Sequence, residues 1–286
     1  MKKSICCIIK NEHRFLKEWV DWHLNIGFDT IHLFEDYRSD SHKDIVKDYD
    51  NVHLMTCEEY GIPDYASPAT QNALYDKFLK DAKSNLKYDW VAFIDIDEFF
   101  ILDDRYTLEK LCEEFNDVGG IWLSWKMYNA NGHVKRPDGK VMDNYTQVID
   151  DDILSTVDSI RWNKKSFVNC NVAEKFINIH LISKGVDVNR NNVITAPKIF
   201  KKAWINHYFT KSWEDYKERI FVRGNMNNTL RCLDQFFKQN PDMRHRKVEL
   251  CEKERYRHTA VNMYVSRDLK IISGGNVNII KKIKGI

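Results

Sequence analysis

Apolar residues recur along this chain in two rhythms. Short runs rich in them lie at 4–9, 30–34, Val52–Thr56, 90–94 and 121–125. Runs this short, with few polar interruptions, suit strands covered on both faces, as in a mainly parallel sheet. Between them the spacing becomes helical. Phe15, Trp19, Trp22 and Ile26 mark one face of a helix over 13–25, ended by Gly27. Pro68 opens a second helix reaching residue 86, with Gln71, Leu74, Tyr75, Phe78 and Leu79 on its inner stripe. Leu108, Leu111, Cys112 and Phe115 mark a third, stopped near Gly119-Gly120. Strands alternating with helices predict an α/β fold with a doubly wound sheet.

The pattern weakens over 135–192, where Asn and Asp are frequent and loops with short strands are expected. A last short strand reads over 204–208, and helices over 214–223 and 230–237. The alternation is lost after Tyr208. Residues 1–225 are therefore expected to form one domain, and 226–286 a small helical C-terminal appendage with a basic tail.

Composition narrows the class. Lys plus Arg number 44 against 42 Asp plus Glu, so no overall field calls for nucleic acid. The seven Cys include no Cys-x-x-Cys pair, and Cys6-Cys7 sits inside an apolar run, as core thiols do in a reducing cytosol. Met1-Lys-Lys with the run at 4–9 mimics a signal peptide, but the run closes in Lys10-Asn11-Glu12 and reads as a first strand. No segment has the apolar length of a transmembrane helix, and a cytoplasmic chain is expected. The sequons at Asn144 and Asn227 then carry no glycan. The tail sets Ile279, Ile280, Ile283 and Ile286 beside Lys281, Lys282 and Lys284. One reading packs the isoleucines on the domain; the other is a weak peripheral contact with the inner face of an anionic membrane.

The chemistry gathers where the run at 90–94 meets Asp95, Asp97 and Glu98. If the strand persists that far, alternation puts Asp95 and Asp97 on one side. Open α/β sheets bind ligands beyond the carboxyl ends of their strands. Two hard oxygen ligands there make half a divalent-cation site, able to bridge protein carboxylates to a diphosphate. The plainer reading is a solvated acidic turn, the commoner context of a lone Asp-x-Asp. Lys10-Asn11-Glu12 and Glu35-Asp36 fall at neighbouring strand ends.

The ordered set of short motifs resembles the family 92 glycosyltransferases and the related family 2. It comprises Cys7-Ile-Ile-Lys10-Asn11-Glu12, Glu18-Trp-Val-Asp21-Trp22-His23, Gly27-Phe-Asp29 and Ser39-Asp40. Gln71, the Asp95-Ile-Asp97-Glu98-Phe99 motif of DXD type, and Trp125 before Gly132-His133 continue it. His207-Tyr208-x-x-Lys211-Ser212, with Lys217 and Arg223-Gly224, closes it. The match covers roughly the first 225 residues, and its specificity lies in many motifs standing in order. Glu35-Asp36-Tyr37-Arg38 departs from the pattern, which has an Asn before its Ser-x-Asp.

The resemblance implies the GT-A fold, Rossmann-like, with a mainly parallel twisted sheet flanked by helices. It implies transfer of a hexose, galactose in several relatives, with inversion. The donor would be a UDP-linked nucleotide sugar with manganese or magnesium. The acceptor would be a glycan or glycolipid in cell-surface polysaccharide or lipooligosaccharide synthesis. Asp97 would hold the metal, Asp95 would share it or bond the ribose, and His207 would complete the set. An imidazole there favours manganese; the alternative for His207 is a core histidine. Lys10, Asn11, Glu12, Asp36 and Gln71 would hold the nucleotide, the plain alternative for Asn11 being a helix cap. Lys211 and Arg223 would contact the diphosphate, or else form a solvated helix face. An inverting transfer needs a general base, for which Glu98, Asp138 and Glu174 are the weak candidates. Trp125 and Tyr128 would stack on a sugar or pack in the core. Two other classes compete: a metal-dependent phosphohydrolase or nucleotidyltransferase, and a non-catalytic sugar-binding protein of the same fold.

Overall fold

The computed structural model of the chain describes residues 1–63, 68–149, 163–194, 197–220, 233–247 and 249–250. The first half alternates β1 (Lys3–Ile9), α1 (His13–Asn25), β2 (Thr30–Glu35), α2 (Lys43–Val46), β3 (Val52–Thr56), α3 (Pro68–Asp81) and β4 (Trp90–Phe93). A π-helical turn carries α3 on through Leu86. Next come β5 (Glu98–Leu102), α4 (Leu108–Glu114), β6 (Gly120–Met127), α5 (Val141–Asn144) and β7 (Lys164–Asn169). The short strands β8 (Phe176–Asn178), β9 (Leu181–Ile182) and β10 (Gly185–Val186) lead to β11 (Ala203–His207), α6 (Trp213–Glu218) and α7 (Leu233–Gln239). The chain divides into two compact units, Met1–Pro241 and Asp242–Ile286.

Among the described residues the main sheet runs β3-β2-β1-β4-β7-β6-β11-β5, with β10 beside β6. The β1–β2, β1–β4, β2–β3 and β6–β11 pairs are parallel, while β7 is antiparallel to both neighbours and β5 to β11. This is the expected α/β architecture, a mainly parallel sheet flanked by helices. β1 shows why its sequence is apolar throughout. Ile5, Cys7 and Ile9 join the core under α1, whereas Cys6 and Ile8 join the core under α3, with Leu74, Tyr75 and Phe78. Both faces are covered, so no alternation survives. Cys6 and Cys7 are buried free thiols, as their setting in the sequence suggested.

Two features of the sheet differ from the sequence reading. β4 ends at Phe93, and the 95–98 segment is a turn closed by the Glu98 N–H donating to the Asp95 carbonyl, 3.0 Å. β5, unforeseen, starts at Glu98. β7 falls in the stretch where loops and short strands are expected; Lys164-Lys165-Ser166 opens it, and all three are buried.

α1 is fastened to β5 by side chains. The Trp19 and Trp22 indole N–H groups donate to the carbonyls of Glu98 (2.7 Å) and Phe100 (2.9 Å). His23 Nε2 accepts the Phe100 N–H at 3.0 Å, and its Nδ1 faces the Trp19 carbonyl at 2.7 Å. These partners fix a neutral imidazole protonated on Nδ1. Burial, against the weaker pull of the Trp19 carbonyl, lowers the His23 pKa from 6.5 to about 3. Burial, aided by His53 and Lys2, lowers His32 likewise to about 3.

A folded pKa below the unfolded one gives stability that is full above the unfolded value and is lost as pH falls. The loss should run from about pH 6.5 down toward 3, by up to about 1.4 kcal/mol per pH unit for each histidine. Urea unfolding at pH 7 and pH 5 measures it; equal midpoints would refute it.

No helix among the described residues is long and apolar enough to cross a membrane. The C-terminal tail from 276 and its membrane reading lie outside the described residues, as do Arg223 and Asn227.

Candidate active site

The carboxyl ends of β1, β2 and β4 face the start of β5 and the end of β11. Asp97 sits there, buried. Its Oδ2 receives the Arg219 Nη1 at 2.6 Å and lies 3.6 Å from His207 Nε2. Burial would raise this carboxyl. Arg219, His207 and Lys211 more than offset that and hold it well below the usual carboxylate range. β11 delivers His207 directly opposite Glu98 of β5, and the Tyr208 N–H donates to the Asp97 carbonyl at 2.8 Å. Burial, only partly countered by Asp97, lowers the His207 pKa, so the imidazole is neutral near pH 7.

Asp95 turns the other way. Its Oδ1 accepts from Gln71 Nε2 at 3.2 Å and its Oδ2 from Lys165 Nζ at 2.9 Å. Lys165, fully buried on β7, also lies 3.7 Å from Glu98 Oε2. Burial would lower the lysine pKa, but Asp95 and Glu98 prevail and raise it well above its usual value. Because the strand stops at Phe93, alternation does not place Asp95 and Asp97 on one side. The turn splays them, one toward Lys165 and the other toward Arg219.

Lys165 and Arg219 are residues at this point of the structure that the sequence did not mark. The signal for Lys165 was a lysine pair inside a segment that otherwise reads Ser166-Phe167-Val168 as strand.

Buried polar atoms without a hydrogen bond concentrate at this point. Among the described residues, Glu98 Oε1, Trp125 Nε1 and His207 Nδ1 are three of the five. Register pairs Glu98 with His207, and the Trp125 ring lies 4.4 Å from the His207 ring. Such groups in a native interior call for a functional reason or a bound partner.

A cleft of about 260 Å³ opens beside Arg219 and is lined also by Asn11, Arg14, Lys211, Arg136 and Asp40. Asn11 and Lys211 both hold positive φ, 51° each, a conformation that non-glycine residues adopt sparingly. Lys211 Nζ lies 4.5 Å over the Phe15 ring. Arg136 pairs with Asp215 and Glu218, so its charge is already answered.

The other candidates fall as follows. Asn11 does not cap α1, whose N-cap position is Glu12 and is not closed by a side-chain capping bond. Instead its Oδ1 accepts the Asp40 N–H at 2.7 Å, and its own N–H donates to Ser39 Oγ at 3.0 Å. Glu12 donates its N–H to His42 Nε2 at 2.8 Å, and Lys10 follows directly on β1. Asp36 is buried and clamped by its neighbour Arg38, Nε and Nη2 each at 3.0 Å.

The base candidates are scattered. Glu98 is fully buried, and burial, with Asp95 and Asp97 nearby, pushes its pKa well up despite Lys165. Asp138 is exposed and does not line the cleft, and Glu174 is exposed and paired with Lys184 at 2.5 Å. Trp125 and Tyr128 pack as supports, Tyr128 stacked on Tyr208 at 4.8 Å.

Asp97 and His207 suit a manganese-type cation chemically: an ionised oxygen and a neutral nitrogen, spaced beyond a hydrogen bond. Among the described residues no three His, Cys, Asp or Glu converge as a set. A cation here would take its remaining ligands from phosphate and water, as nucleotide-site cations do.

A model of glycosyltransferase family 92 matches residues 3–248 of the chain. A family 92 protein of Ricinus communis is 26% identical over 228 residues, 77% of this chain and 37% of that protein. One of Oryza sativa subsp. japonica is 24% identical over 147 residues, covering 50% of this chain and 24% of the relative. The chain thus spans well under half the length of these curated relatives. Among solved structures, glucosyl-3-phosphoglycerate synthase of Mycobacterium tuberculosis, in complex with Mn2+, uridine diphosphate and phosphoglyceric acid, is similar in part. Its TM-score is 0.31 at 14% identity, over 46% of this chain and 44% of that one.

Proposed function

The chain belongs to glycosyltransferase family 92, and we propose that it moves a hexose, galactose first among candidates, from a UDP-linked sugar to a glycan acceptor with inversion. One observation carries the reading: a buried Asp97 whose Oδ2 is faced by both Arg219 and His207, beside a cleft lined by Arg14, Lys211 and Arg219 together with Asp40 and Glu218. Asp97 and His207 would hold manganese or magnesium, which when bound neutralises charge developing on the leaving diphosphate. Arg219 and Lys211 would add fixed positive charge to the same oxygens. Gln71 and Lys165 hold Asp95 rigid, which suits a carboxylate that positions the ribose.

The base that takes the acceptor proton must stand in the cleft. Asp40 and Glu218 line it, so they replace Glu98, Asp138 and Glu174 as candidates. All of this machinery lies within 1–225, the span assigned to the transferase domain. A glycan or glycolipid of cell-surface polysaccharide or lipooligosaccharide is the acceptor class.

Donor hydrolysis without acceptor tests the proposal. With manganese and a panel of nucleotide sugars, one donor should release free sugar and nucleoside diphosphate, and chelator should stop it. Release of inorganic phosphate instead would indicate a phosphohydrolase. No turnover and no thermal shift with any nucleotide sugar would sink the reading, since a ligand of the native state must raise its stability.

A further inference from the structure

We propose that Arg219 is a resident counter-ion of Asp97 that couples divalent-cation binding to diphosphate binding. It holds the Asp97 carboxylate when the cleft is empty and passes to the diphosphate when a cation arrives. This rests on the nucleotide-sugar reading above.

The contest is over one oxygen. Arg219 Nη1, at 2.6 Å, and His207 Nε2, at 3.6 Å, both face Oδ2 of Asp97. A cation held by Asp97 and His207 would therefore compete with the guanidinium for the same carboxylate. Two cations on one buried carboxylate repel strongly. Yet Asp97 cannot stand alone, because a buried unpaired carboxylate is costly. Arg219 meets that need in the empty protein.

The arginine is also placed to leave. It lines the cleft, with its side chain 17% exposed, whereas Asp97 is 5% exposed. Its second anchor carries no charge and stands on the wall of the same cleft: Nη1 also donates to the Phe209 carbonyl at 2.8 Å, and the guanidinium lies 4.8 Å over the Phe209 ring. Nothing needs to unfold for the guanidinium to swing toward an anion in the cleft. A planar, five-donor group matches phosphate oxygens better than it matches one carboxylate oxygen.

Two consequences follow. Cation alone should bind weakly, since it displaces Arg219 with no anion to receive it. Cation and diphosphate should each tighten the other by the same factor, because coupling between sites is reciprocal.

Manganese binding to the full chain, read from the electron paramagnetic resonance signal of free Mn2+, tests this directly. Uridine diphosphate is the ligand probe and inorganic pyrophosphate the control lacking a nucleoside. In the wild type, uridine diphosphate should tighten Mn2+ binding by about tenfold or more. In Arg219→Met, Mn2+ alone should bind about tenfold tighter than to the wild type, and the diphosphate should add little. Thermal melting of that variant, which leaves Asp97 without its partner, should show a larger Mn2+ stabilisation than the wild type.

Arg219→Lys keeps the charge and the fold should Arg219→Met prove unstable. It loses the fork, so its coupling should fall below wild type while Mn2+ alone binds no more weakly. Unchanged Mn2+ affinity and unchanged coupling in the variants would overturn the counter-ion role while leaving the donor reading intact. No Mn2+ binding to the wild type, with or without uridine diphosphate, would overturn the metal-dependent donor reading itself.

Discussion

Replacing Asp97 by asparagine should lower sugar transfer on the order of 10³-fold while the protein still folds. The substitution keeps the shape and one acceptor oxygen, so Arg219 keeps a hydrogen bond and its Phe209 carbonyl. What is lost is the charge. In the folded chain burial works against that charge, and Arg219, His207 and Lys211 overcome it. Breaking a buried ion pair on one side costs stability, here about 1–3 kcal/mol because the amide still accepts. Circular dichroism should therefore report a native spectrum with a lowered melting point. Chelator should bring the wild type down toward the variant's rate and leave the variant unchanged. A variant retaining a tenth of wild-type activity, or one that chelator inhibits further by a large factor, would remove Asp97 from the cation site.

The first half of the fold was legible because its strands are buried on both faces and its helices on one. α1 begins and ends where Phe15, Trp19, Trp22 and Ile26 place it, and β3 spans the residues its pattern marks. Legibility failed where burial did not follow hydrophobicity. β7 opens with two lysines whose side chains are almost wholly inaccessible, held by Asp95 and the Ile194 carbonyl. No hydrophobic period marks a polar segment of this kind, because its partners come from a turn and a loop far along the chain.

The site divides the same way. Asp97 and His207, distant in sequence, lie 3.6 Å apart because register pairs β5 with β11 and sets His207 beside Glu98. Asp95 was assigned with them by strand alternation, and alternation stops at Phe93. Arg219 went unseen for a different reason. On its own sequence it is one more cation in a helix running Lys217-Glu218-Arg219, and only the fold puts it against a carboxylate 122 residues away. Gln71 was drawn in by motif order, and its amide does reach Asp95. The ties that matter most here are long-range and electrostatic, and periodicity carries no trace of them.

The second large effect should come from Trp19, well away from any reacting atom. β5 is the last strand of the sheet, so its outer edge would present unpaired backbone groups. α1 covers that edge with three side chains: Trp19 on the Glu98 carbonyl, Trp22 on the Phe100 carbonyl, and His23 on the Phe100 N–H. Trp19 is completely buried. Trp19→Ala should cost about 3–5 kcal/mol from the cavity, with the stranded Glu98 carbonyl adding to it. Trp19→Phe separates the two contributions: it keeps most of the ring contact and loses only the N–H donor, so about 1–3 kcal/mol is expected. Because Glu98 follows Asp97 directly, the phenylalanine variant should also lose activity per folded molecule, as the start of β5 loosens under the cation site. Urea unfolding gives the first quantity, and turnover normalised to the folded fraction gives the second. If Trp19→Phe matched the wild type in both, the Trp19–Glu98 bond would not be what holds Asp97 in place, and the edge would owe its order to β11, Trp22 and His23.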